Sequence, residues 1–188
     1  RSLHILFILV VVTWLGFPLR AQEAISIGLA ITLFSHVLNE AREYWVYVPA
    51  TRPGEKEESY PVLYLLDGDS FFFGGSFTRL FSTSKVSSLP PCIVVAVLNT
   101  NRTRDFTPTC SAARRDGTVR PGDKPEGGGA GQFCRFLTEE LRPAVEQDLP
   151  VNGQHLLAGH SYAGLFTLHV LLNYPGTFDT YIAIDPSL

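Results

Sequence analysis

Methionine is absent from this 188-residue chain, and cysteine (three), tryptophan (two) and histidine (five) are sparse. A reading frame opens on Met, so a chain without one is expected to be processed or partial. Cys92, Cys110 and Cys134 are too few for a disulfide framework, and their spacing offers no C-x-x-C clip for zinc. No metal and no cofactor are expected. Excess positive charge is missing too. Fifteen Lys and Arg stand against 18 Asp and Glu, a formal charge of −3, so no basic field draws nucleic acid. What is present is 45% hydrophobic and 12% aromatic residues with 16 Gly and 13 Pro, which excludes a disordered chain, a coiled coil and a collagen-like repeat. The length suits one domain with its own core.

Residues 3–18 (LHILFILVVVTWLGFP) form the longest apolar run. It is short for a comfortable membrane span and is followed at once by Arg20-Ala21-Gln22-Glu23, the pattern of a secretory leader cleaved after Ala21. The expected division is therefore 1–21 signal peptide and 22–188 domain. The mature protein is expected to be exported, periplasmic or secreted, with no stable membrane span. An uncleaved anchor is the rival reading. In an oxidising compartment a disulfide becomes possible, but no pairing can be assigned.

Along the remaining chain, Ile25–Leu38 alternates as a strand or hairpin does, and Tyr44–Val48 is a second strand stopped by Pro49. Thr51–Tyr60 is a charged loop. Val62–Leu66, Ile93–Leu98, His155–Ala158 and Tyr181–Ile184 are short continuous apolar runs, as in central parallel strands buried on both faces. Phe133, Phe136, Leu137, Leu141 and Val145 recur at helical steps, with Pro143 expected to bend or end the regular part. Leu165–Leu172 forms another helix, closed by Asn173-Tyr174-Pro175-Gly176. Strands alternating with helices predict an α/β fold with a mostly parallel sheet, flanking helices and the N-terminal strands antiparallel at one edge. Ser111–Gly131 is polar and Gly-rich and reads as a mobile surface loop. It lacks the G-K-[ST] ending of a phosphate-binding loop.

The chemistry concentrates in His155-Leu156-Leu157-Ala158-Gly159-His160-Ser161-Tyr162-Ala163-Gly164. An apolar strand enters G-x-S-x-A-G and a helix follows, the context in which a serine stands exposed on a sharp bend as a nucleophile. The bend needs small residues two before and two after the serine, and Gly159 and Ala163 meet that need. An ordinary Gly-rich turn is the bland alternative. Acyl transfer also needs two N–H donors for the developing oxyanion. The expected pair is the Tyr162 amide and the Asp69 amide, the latter in Asp67-Gly68-Asp69-Ser70 after strand Val62–Leu66. His160 is read as packing at the bend. Arg102 and Arg104, in the loop after strand Ile93–Leu98, are candidates to meet an anionic substrate group, or to brace the loop through Asp105.

These motifs, in order, resemble the esterase branch of the α/β hydrolases that includes esterase D, enterochelin esterase and the mycolyltransferases. The matching segments are VLNEAREYWVYVP, YPVLYLLDGD, LNTNRTRDFTPT and GHSYAGLFTLHVLLNYPGTFDTYIAIDPSL, which span most of residues 37–188. The resemblance implies an α/β-hydrolase-like sheet, incomplete at the C-terminus, and a serine esterase acting on a small-molecule ester with Ser161 as nucleophile. An acyltransferase of the same fold and a non-catalytic binding module are the alternatives.

In that fold the acid and histidine follow the serine in chain order. Only 27 residues follow Ser161, and their one histidine, His169, lies eight residues along the next helix. The base and acid are therefore expected beyond Leu188. Residues 1–188 alone are expected to be poorly stable and to show no turnover of an activated ester. Hydrolysis by this chain that is lost in Ser161→Ala would contradict that expectation.

Overall fold

The computed structural model describes residues 26–49, 59–72, 91–113 and 117–188. The leader reading at 1–21 and most of the charged loop 51–60 lie outside them. Among the described residues the main sheet has six strands in the order β1 (Leu29–Ser35), β2 (Glu40–Tyr47), β4 (Ile93–Val97), β3 (Tyr60–Leu65), β7 (Val151–His160) and β8 (Thr180–Ile184). β1 and β2 form an antiparallel hairpin, and β2 runs antiparallel to β4. The β4–β3, β3–β7 and β7–β8 pairs are parallel. The α/β class and the antiparallel edge follow the hydrophobic pattern.

The helices are α1 (68–72), α2 (Arg102–Phe106), α3 (Ala130–Arg135), α4 (Arg142–Asp148) and α5 (Tyr162–Asn173). A π-helical segment, Phe136–Leu141, joins α3 to α4 without a break. Pro143 sits in the first turn of α4, and its ring leaves no room and no donor for the carbonyl one turn back. The widened turn absorbs that conflict, so the irregularity falls before the proline. In the polar stretch 111–131 the structure adds a short antiparallel ladder, β5 (Cys110–Ser111) with β6 (Glu126–Gly127), which composition did not signal.

Every residue of β4 is buried, as its unbroken apolar run requires. On one face of the sheet, Val62, Tyr64, Ile93, Val95 and Leu157 pack against Phe133, Phe136, Leu137, Phe166 and Val170 from the helices. Phe106, Phe133 and Phe166 meet with ring centroids 5.2–5.9 Å apart. On the other face the described cluster is smaller, around Val94, Ala96, Tyr47 and Phe72.

One expectation is corrected. Tyr181–Ile184 is not buried on both faces: β8, which among the described residues pairs only with β7, alternates exposed and half-buried, with Ile182 39% and Ile184 53% exposed. An apolar run reports residue type, not the presence of a covering layer on each face.

A charged group lies inside the helix-side core. Arg42, 1% exposed on β2, donates to Asp105 Oδ2 at 2.7 Å, Glu40 Oε1 at 2.9 Å and the Leu98 carbonyl at 3.0 Å. Its guanidinium lies over the Phe133 and Phe136 rings. Arg104 completes the network with bonds to Glu40 and Asp105. The hydrogen bond from Arg104, aided by Arg42, lowers the Glu40 carboxyl from its ordinary 4.5 to about 2. A depressed carboxylate pKa stabilises the fold above the unfolded value, and that contribution disappears as pH falls through the folded one. Stability measured by denaturant unfolding is expected to decline from about pH 4.5 towards 2, and Glu40→Gln is expected to flatten that decline. An identical pH slope in the variant would count against the coupling.

Candidate active site

Strand order reverses at β3. β4 lies on one side of it and β7 on the other. The crevice beyond the carboxyl ends of such strands is where open α/β sheets bind ligands. Two sequence-selected segments meet there, Asp67–Ser70 after β3 and Ser161 after β7. The Leu65–Ala158 register and the bond from Leu66 N to the Ala158 carbonyl, 2.9 Å, bring them side by side.

Ser161 is the single residue between β7 and α5, with φ 58° and ψ −117°. Four non-glycine residues among those described have positive φ, and Asp67, Ser161 and Asp185 each follow a parallel strand at this crevice. Such backbone strain concentrates at functional sites. The bend is tight enough that a β-carbon on Gly159 would lie 2.3 Å from the Ala163 carbonyl oxygen, and one on Gly164 would lie 3.0 Å from the Ile184 carbonyl oxygen.

The segment after β8 wraps the bend. Ser161 N donates to the Ile184 carbonyl (3.0 Å), and Ser187 N donates to the Ser161 carbonyl (3.1 Å). The half-buried Ser161 hydroxyl lies 3.0 Å from the Ser187 hydroxyl. Sequence reasoning did not single out Ser187. Its only signal was membership of the I-D-P-S-L segment, since nothing local ties it to a residue 26 positions earlier.

Both proposed oxyanion donors sit in first helical turns, where N–H groups have no acceptor within the helix. Tyr162 opens α5. Asp69 lies in the first turn of α1, where Ser70 N and Phe71 N bond to the Asp67 carbonyl at 2.9 and 3.1 Å. The twelve-residue α5 also directs the positive end of its dipole at the bend.

The two arginines are held by carboxylates. Arg104 bonds to Glu40 and, as one sequence reading allowed, to Asp105. Arg102 does not pair with Asp105. Its Nε and Nη2 grip Asp67 at 2.7 and 2.9 Å, and Nη2 also reaches the His160 carbonyl at 3.3 Å. Its pKa rises through the hydrogen bond with Asp67. Asn99 Nδ2 adds bonds to Asp67 (2.8 Å) and Asp69 (3.1 Å).

Among the described residues no histidine is bonded to Ser161. His160 packs edge-on against Phe71. His169 contacts Asn173 and Tyr174, and lies about 12 Å along α5 at 1.5 Å per residue. His155 is about 20 Å back along β7 at 3.3 Å per residue, paired with Glu146 at 3.0 Å. Burial lowers the pKa of both His155 and His169. His36 packs against Phe34 in the β1–β2 turn. None of the three cysteines is in a disulfide; Cys92 and Cys134 are buried and Cys110 is exposed.

A polar cavity of about 290 Å³ adjoins Tyr162 and is lined also by Thr103, Ser111, Asp123, Lys124 and Glu126. The opposite side of the sheet end carries an apolar cavity of about 220 Å³, between Leu63, Leu65, Phe71, His160 and Ile184. Gly159→Ala forces its methyl into the Ala163 carbonyl and is expected to lower stability by about 1–3 kcal/mol, the usual range for overpacking. An unchanged denaturation midpoint would show that the bend relaxes freely.

Comparison with known proteins bears on this arrangement. A family model described as "Putative esterase" matches residues 35–187. Ferri-bacillibactin esterase BesA of Bacillus subtilis is 36% identical over 168 residues, covering 80% of this chain and 55% of its own length. A siderophore enterobactin esterase of Emericella nidulans is 34% identical over 143 residues, covering 70% of this chain and 47% of its own. The structure of an IroE-like serine hydrolase from Shewanella oneidensis superposes with a TM-score of 0.77 at 36% identity, covering 85% of this chain and 50% of that one. The chain thus spans about half the length of the curated relatives it matches. With the family model covering most of its length and the sheet, bend and order of motifs in agreement, the chain belongs to this esterase family of the α/β-hydrolase fold.

Proposed function

We propose that this chain forms the nucleophile-bearing part of an exported serine esterase that cleaves carboxylic esters of the siderophore class. The observation that carries the reading is the left-handed backbone of Ser161 between a buried strand and a helix. The Ser161 oxygen attacks the ester carbonyl carbon, and the oxyanion of the tetrahedral intermediate is stabilised by the Tyr162 and Asp69 amides. Collapse expels the alcohol and leaves an acyl-enzyme, which water hydrolyses to free the acid and the serine. The proton acceptor is supplied by a part of the protein outside residues 26–188, since the described histidines are held elsewhere. Residues 1–21 serve as the export leader.

The substrate class rests on two supports. The relatives are named for ferri-bacillibactin and enterobactin. The cavity beside Tyr162 is polar, so it favours an acyl or alcohol portion rich in hydrogen-bonding groups over an alkyl chain.

In the full-length gene product, a fluorophosphonate is expected to add its phosphorus to Ser161, seen as a mass shift on the peptide containing it. Ser161→Ala is expected to abolish labelling and to lower p-nitrophenyl ester turnover at least about a thousandfold. Labelling elsewhere, or turnover that survives the substitution, would refute the reading.

A further inference from the structure

We infer that Ser187 is a positioning residue for the nucleophile: its hydroxyl donates to Ser161 Oγ, which fixes the attacking rotamer and leaves the Ser161 proton free for the base. The inference rests on the reading of Ser161 as nucleophile and deepens it.

A serine hydroxyl has three staggered positions about χ1, and attack on a bound ester needs the oxygen held in the one that faces the carbonyl carbon. The backbone of Ser161, at φ 58° and ψ −117°, places the β-carbon but leaves the torsion beyond it free. Among the described residues the Ser161 hydroxyl has one hydrogen-bonding neighbour, the Ser187 hydroxyl at 3.0 Å. Ser187 Oγ has Ser161 Oγ as its own neighbour in return. Of the two hydroxyl protons, one lies between the oxygens and the other is free for a third group. For attack the Ser161 proton has to face the general base, so the proton between the oxygens is that of Ser187.

Backbone carries Ser187 to this place. The Ser161 amide donates to the Ile184 carbonyl at 3.0 Å, and the Ser187 amide donates to the Ser161 carbonyl at 3.1 Å. Between these bonds Asp185 takes φ 41° and Pro186 restricts the next φ, which turns the chain back across the bend. Gly164, in the first turn of α5, leaves room for that turn. A β-carbon there would stand 3.0 Å from the Ile184 carbonyl oxygen and 3.1 Å from the Pro186 α-carbon. The amide, carbonyl and hydroxyl of Ser161 are therefore each bonded to the segment 184–187.

The donor gains strength during the reaction. As the Oγ–carbon bond forms, the Ser161 proton passes to the base and then to the leaving alcohol, while the Ser187 proton stays on its own oxygen. A hydrogen bond to an oxygen that is acquiring negative charge is stronger than one between neutral hydroxyls. The same donor serves when water displaces Ser161 Oγ from the acyl-enzyme, because that oxygen again carries charge as it leaves.

The test compares Ser187→Ala, Ser187→Thr and Ser187→Val in the full-length gene product. Thr and Val have the same shape, so their ratio isolates the hydroxyl. One readout is the second-order rate constant for labelling of Ser161 by a fluorophosphonate. The other is kcat and KM on p-nitrophenyl acetate, expressed per serine labelled at completion, so that loss of folded protein lowers the count of sites and leaves kcat untouched. Ser187→Ala is expected to slow both labelling and kcat about 5- to 30-fold, with KM changed less than about threefold. Ser187→Thr is expected to exceed Ser187→Val by a similar factor in both.

Unchanged labelling and kcat in Ser187→Ala overturn the inference. Faster labelling in Ser187→Ala also overturns it, since Ser187 would then hold the nucleophile back. A loss confined to KM would make Ser187 a substrate contact, and equal rates in the Thr and Val variants would make its role one of shape; either result overturns the inference. If Ser187→Ala yields no labelled protein, the Thr and Val variants decide by the same criteria. Turnover that survives Ser161→Ala removes the nucleophile assignment, and this inference falls with it. A dead Ser161→Ala beside a Ser187→Ala at full rate overturns the positioning role alone.

Discussion

Holding Ser161 at φ 58° and ψ −117° requires neighbours that leave the chain no alternative, because a β-carbon at that angle crowds the adjacent backbone. β7 delivers the residue from a buried strand, and α5 carries the chain away with Phe166 and Val170 locked in the core. Gly159 and Ala163 are small because they face each other across the bend. The last residue of β8 then ties down the serine's amide, and the segment after β8 its carbonyl. Strain at one residue is thus maintained by packing along two long elements, so folding of the sheet and exposure of the hydroxyl are one event.

Charge plays a different part here from its usual one. Arg42 and Asp105 are each 1% exposed, and removing either would leave the other buried without its partner. Such a pair adds little net stability over well-packed apolar residues, but it defines a single relative placement of β2 and α2. Aromatic rings cover the guanidiniums of both Arg42 and Arg102, which limits their hydration. The segment 99–106 is therefore held by ion pairs and ring contacts although its composition is that of a polar loop.

Features whose cause is local were legible in the sequence. The unbroken apolar run Ile93–Leu98 announced a central strand, and G-H-S-Y-A-G announced the bend, since strand, turn and small residues all lie within a few positions. Features whose cause lies far along the chain were not. Asp105 is adjacent to Arg104 and their pairing was readable, whereas Arg102 reaches Asp67, 35 positions away. Arg42 falls in an alternating strand where a charged residue reads as solvent-facing, and its burial rests on Asp105 from α2 together with Glu40 and the Leu98 carbonyl. At five residues, α2 is too short to show a helical period. The exposure of Ile182 and Ile184 on β8 depended on what packs over that face, which composition does not encode.

That outer strand has a chemical consequence of its own. Along Thr180–Ile184 the side away from β7 presents backbone donors and acceptors with no ladder partner among the described residues, next to the exposed side chains of Ile182 and Ile184. A rail of this kind accepts any extended segment that offers matching amides and an apolar flank, whether from the same polypeptide or from a neighbour.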